Sequence, residues 1–95
     1  MKLKPLFDKI ILRLIEKHSE TGVILPQTIS ESPSMGEVVY IGSGGILDGN
    51  EIKIILKPSD RVLFHKFTAS EFNINGENLY IIKQADILCI VEDEQ

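Results

Sequence analysis

From residue 42 onward, turn-forming residues interrupt this chain about every ten positions, a spacing that leaves no room for a long helix. Gly42-Ser43-Gly44-Gly45, Asp48-Gly49-Asn50, Lys57-Pro58-Ser59-Asp60 and Asn75-Gly76 all carry residues that accept left-handed backbone or preset a tight turn. The intervening runs are short and rich in β-branched residues: 36–41, 54–56, 61–64, 71–74, 77–82 and 87–91. With residues 9–16 they predict an all-β fold, a small irregular β-barrel with a projecting β-hairpin at about residues 45–53. Phe67 to Ala69 reads as a corner, and Gln84-Ala85-Asp86 as a single helical turn. The glycines of 42–45 suit a corner with positive φ; a P-loop would need a Lys-Ser/Thr ending and a following helix, which this stretch lacks.

Alternation along residues 9–16 puts Ile10, Leu12 and Leu14 on one face, with Ile11 and Ile15 flanking Arg13 on the other. A barrel has only one inside, so the second apolar face predicts a cover, for which a neighbouring subunit is a candidate. Residues 87–91 are likewise apolar on both faces, and Cys89 among them is expected to be a small buried hydrophobe. Ninety-five residues give one domain with a modest core, burying about 60 to 70% of the unfolded surface, so oligomerisation would add stability.

Residues 19–34 break the strand rhythm. Val23-Ile24-Leu25 stands in a segment otherwise built mainly of Ser, Thr, Glu, Gln, Gly and Pro. As a local pattern it fits a short buried strand or an apolar hook on a flexible arm equally well. Pro26 and Pro33 argue against an extended ladder, and a connection of this length without structure of its own tends to be functional or disordered.

Several function classes fall away on the residues. The net charge of −4 and only four phenylalanines and two tyrosines, with no tryptophan, offer neither the basic groove nor the stacking platforms of a nucleic-acid binder. No stretch approaches the roughly 20 apolar residues of a membrane span. One cysteine permits no internal disulfide, and His18 and His65 show no metal-ligand spacing. The serines at 30, 32 and 34 lie where no scaffold would hold a nucleophile against a base. A non-enzymatic protein of a reducing compartment is expected: the cytoplasm, or an organellar matrix if the chain is a mature form.

The motifs, taken in order, resemble the GroES family of ten-kilodalton co-chaperonins over nearly the whole length: Lys4-Pro5-Leu6-Phe7-Asp8-Lys9-Ile10-Ile11-Leu12, Gly22-Val23-Ile24-Leu25-Pro26, Gly36-Glu37-Val38-Val39, Ile41-Gly42-Ser43-Gly44 and Asp86-Ile87-Leu88-Cys89-Ile90-Val91. The resemblance implies a homoheptameric lid on a GroEL-type large chaperonin whose subunits have bound ATP, with no cofactor on this chain. It makes 19–34 the mobile loop, with Gly22, Val23, Ile24, Leu25 and Pro26 binding the chaperonin, and Asp48, Gly49, Asn50 and Glu51 the roof hairpin. Leu3, Pro5, Leu6, Phe7, Leu88 and Ile90 then belong to the subunit interface. Thr21, Ser59 and residues 67–70 depart from the family at positions that usually carry glycine. Two other functions are considered: a GroES-like β-domain acting as an interaction module without capping, and a fragment of a medium-chain alcohol dehydrogenase. The latter would carry ligand cysteines and a dinucleotide domain, and neither is present.

Overall fold

The structure is a computed structural model that describes residues 2–15 and 33–92. The strands are β1 (Lys9–Leu14), β2 (Ser34–Ile41), β3 (Gly45–Leu47), β4 (Asn50–Ile52), β5 (Arg61–Phe64), β6 (Ser70–Ile74), β7 (Glu77–Lys83) and β8 (Cys89–Val91). Single 3₁₀ turns occupy Lys66–Thr68, at the expected corner, and Gln84–Asp86. β2 starts at Ser34, ahead of Gly36, so the final residue of the expected loop is already paired, with Phe64 of β5.

Six strands form one antiparallel sheet in the order β6-β7-β1-β2-β5-β8, while β3 and β4 pair separately as the projecting hairpin. The first sheet is not closed. Among the described residues β6 and β8 each have one strand partner, so the expected barrel is open between them. At three residues, β8 is also shorter than the five-residue run that suggested it.

The inward alternation of four strands, with one residue of a connection, makes one core. Ile10 and Leu12 of β1, Val38 of β2, Val62 and Phe64 of β5, Tyr80 and Ile82 of β7, and Leu56 form a single buried cluster. Phe64 meets Tyr80 edge to face with ring centroids 5.5 Å apart, which adds about 0.5 to 1.5 kcal/mol to the burial of the two rings. Leu56 is buried while its neighbour Ile55 is exposed, although residues 53–57 belong to no strand.

Two expectations about the second faces are corrected. Ile11 is buried within the single chain, in a groove it shares with Leu3, Pro5, Phe7 and Ile81, so it needs no subunit to cover it. Cys89 is exposed: β8 is an edge strand, paired through Cys89 to Leu63 on one side only.

Turn chemistry accounts for the corners. Asp48 and Gly49 both take positive φ, 54° and 79°, matching the right-handed twist of a two-residue hairpin loop. Gly42 is needed for a different reason. A Cβ there would run into the backbone carbonyls of Phe7 and Lys9, so the chain can turn past the N-terminal segment only without a side chain.

Candidate partner-binding and assembly surfaces

The proposed chaperonin-binding residues Gly22, Val23, Ile24, Leu25 and Pro26 lie outside the described residues. The strands on either side of that segment are described. β1 and β2 are adjacent, Leu14 opposite Gly36, and the Ile15 N–H donates to the Met35 carbonyl at 2.9 Å. The 16–32 connection therefore leaves and re-enters the sheet at neighbouring strand ends. Arg13 sits one step inside that junction and reaches across three strands, donating to Glu37 on β2 at 2.6 Å and to Glu77 on β7 at 3.5 Å. The Glu37 hydrogen bond and charge hold the guanidinium above its ordinary pKa. The site is exposed, so the network is worth at most about 1 kcal/mol per pair.

In the hairpin, Asp48, Gly49, Asn50 and Glu51 are all exposed at the tip, and behind them Ile46 is 72% exposed. One root of the hairpin is held by the N-terminal segment, where the Gly44 N–H donates to the Phe7 carbonyl at 2.9 Å. The other root is held by Gln84, whose side chain bonds the backbone at Lys53 and Ile55.

The six residues expected at a subunit interface fall into two groups. Leu3, Pro5, Leu6 and Phe7 line an apolar groove of about 510 Å³ with Phe72 of β6 and Ile81 of β7. Within this group Leu6 and Phe7 are exposed at 62% and 43%, Leu3 is half-buried, and Pro5 is buried in its own chain. Leu88 and Ile90 form the second group, exposed beside Cys89 along β8. In the bonded strand order the first group lies over the β6, β7 and β1 half of the sheet, while the second lies at the β8 edge.

Sequence reasoning missed Ile55, 69% exposed next to buried Leu56, and Gln84, which binds it. The aliphatic triplet 54–56 carries no sign of which member faces out. A glutamine opening a helical turn is equally ordinary in sequence. Among the described residues no group of three or more His, Cys, Asp or Glu side chains is placed to hold a metal ion, and no helix is long and apolar enough to cross a membrane.

Residues 2–91 match the family model described as the chaperonin 10 Kd subunit. A protein named co-chaperonin GroES from Caldicellulosiruptor saccharolyticus is 39% identical over 95 residues, covering 98% of this chain and 100% of the relative. One of the same name from Clostridium acetobutylicum is 41% identical over 95 residues, with the same coverage. Another, from Clostridium botulinum strain Hall, is 42% identical over 94 residues, covering 97% of this chain and 99% of its own length. The chain belongs to the chaperonin 10 Kd subunit family and is a co-chaperonin, not an enzyme.

Proposed function

We propose that the chain acts as a ring-shaped lid on a GroEL-type large chaperonin, with seven copies joined through their terminal segments. The observation that carries this reading is the pair of exposed apolar groups, Leu6 with Phe7 and Leu88 with Ile90, toward opposite edges of one sheet. Unlike patches at opposite edges favour head-to-tail contacts, and such contacts make a closed ring when the rotation closes. The N-terminal groove over β6 and β7 of one copy would take β8 of the next. That arrangement buries Cys89 and gives the open edge of β8 a partner.

The arm, the expected 19–34 loop without its paired last residue Ser34, holds the large chaperonin, with Val23-Ile24-Leu25 entering an apolar groove of that partner. Burying three aliphatic side chains is worth about 5 to 8 kcal/mol at roughly 1.5 to 3 each. Ordering five or six backbone residues costs a similar sum at about 1 to 2 kcal/mol apiece. One arm thus binds weakly and releases readily. Repetition around a ring makes the later contacts intramolecular, and avidity exceeds a single affinity by about 10² to 10⁴ when the spacing matches. ATP belongs to the large chaperonin, whose nucleotide state sets the differential affinity that puts the lid on and takes it off. The tips at Asp48, Gly49, Asn50 and Glu51 form the roof, and the cytoplasm is the compartment.

The test is Ile24→Ser. The variant is expected to keep the ring mass of the parent and to lose ATP-dependent co-elution with a GroEL-type chaperonin. Failure to assemble would make the tripeptide part of the core and overturn the arm.

A further inference from the structure

Gln84 joins three parts of the chain that are distant in sequence. Its backbone N–H donates to the Asp8 carbonyl at 2.9 Å, one residue beyond Phe7, and its own carbonyl accepts the Ile87 N–H at 3.1 Å, just before Leu88. Its side chain reaches the second root of the hairpin. There Oε1 accepts the Ile55 N–H at 2.8 Å, and Nε2 donates to the Lys53 carbonyl at 2.9 Å.

A C=O and an N–H two residues apart on one extended segment are the pair that a neighbouring strand residue would satisfy. The primary amide of Gln84 supplies both partners where residues 53–57 have no strand beside them. An ionised glutamate in its place could accept from Ile55 but could not donate to Lys53. The hairpin β3–β4 is a sheet apart from the main one, so its orientation depends on its two roots. Both roots lead to the assembly surfaces. Gly44 is tied to Phe7, and Gln84 is tied to Asp8 and to the turn before Leu88. Ile55, Gln84, Leu88 and Ile90 also line one groove of about 250 Å³.

We infer that Gln84 is a positioning residue: its amide clasps the second root of the hairpin and sets exposed Ile55 beside Leu88 and Ile90, so that a second copy of this chain seated on β8 buries Ile55 as well. The inference rests on the ring proposed above. The occupant follows from continuity, because Ile55 extends the Leu88 and Ile90 surface already assigned to the neighbouring copy.

The experiment uses the full chain as wild type, Gln84→Met, Gln84→Glu and Ile55→Ser. Backbone amide exchange is read on dilute single chains, and mass is followed by light scattering across a dilution series. In Gln84→Met, exchange at the Ile55 N–H is expected to accelerate about two- to tenfold, the range for losing one hydrogen bond, with Gly44 and Ile87 unchanged. Gln84→Glu should keep the Ile55 protection, since its carboxylate still accepts. Rings of Gln84→Met and Ile55→Ser should come apart at several-fold higher concentration than wild type. Unchanged exchange at Ile55 in Gln84→Met, an equal rise at Ile87 and Gly44, or unaltered dissociation of Ile55→Ser would overturn the inference. A wild type that stays single at every concentration would contradict the ring itself, and the exchange ratio at Ile55 then judges the clasp alone.

Discussion

The Ser59 N–H donates to the Val38 carbonyl at 2.8 Å while Ser59 itself holds a left-handed φ of 84°. The turn it caps is fixed from both sides, because the Asp60 carbonyl accepts the Val38 N–H at 2.8 Å and the Asp60 carboxylate accepts the Lys57 N–H at 2.9 Å. A non-glycine residue in this conformation costs about 1 to 2 kcal/mol. Glycine would relieve that and lose about 0.5 to 1 kcal/mol to the greater freedom of its unfolded chain. Ser59→Gly is therefore expected to stabilise the fold by about 0.5 to 1 kcal/mol, read as a higher denaturant midpoint at unchanged slope. A lower midpoint would show that the serine contributes more than its strain removes.

Gly42→Ala should do the reverse. The added methyl meets backbone, at the carbonyls of Phe7 and Lys9, and neither can swing aside as a side chain could. Overpacking of this kind costs about 1 to 3 kcal/mol. Displacement falls on the turn that presents Leu6 and Phe7, so the variant should also weaken assembly more than its loss of stability explains. Equal ring dissociation for Gly42→Ala and wild type would separate that turn from the seam.

Alkaline stability should depend on Tyr80. Burial, and then the Glu71 carboxylate opposite it on β6, hold its phenol above the ordinary value. A group whose folded pKa is raised contributes stability that is complete below its unfolded value, near pH ~10, and is lost as pH rises through the folded value. Tyr80→Phe has no such proton to lose, and its stability should fall less steeply above pH ~10. Parallel decline of the two proteins would contradict the effect.

Most strands and their turns were legible in the sequence because each carries a local signal, although the run 54–56 carries the same signal and belongs to no strand. Asn75-Gly76 and Asp48-Gly49 specify hairpins by backbone chemistry alone, and Ile10, Leu12, Val62 and Phe64 alternate as inward residues must. What depends on closure was not legible. Edge-to-edge pairing of β6 with β8 is a long-range matter that no local pattern fixes, and the exposure of Cys89 follows from that open edge. Ile11 looked uncovered because its cover, residues 3–7, is an irregular segment without periodicity. Gln84 acts through a side-chain amide placed by tertiary structure, which composition cannot reveal.

The central claim, a lid built from copies of this chain, is tested most directly by light-scattering mass across a size-exclusion column, for the protein alone and mixed with a GroEL-type chaperonin with and without ATP. The account predicts a particle of about seven chains that joins the large chaperonin only when nucleotide is present, as expected for weak arms multiplied by a ring. A single chain, or a ring that does not join the chaperonin with ATP, would contradict it.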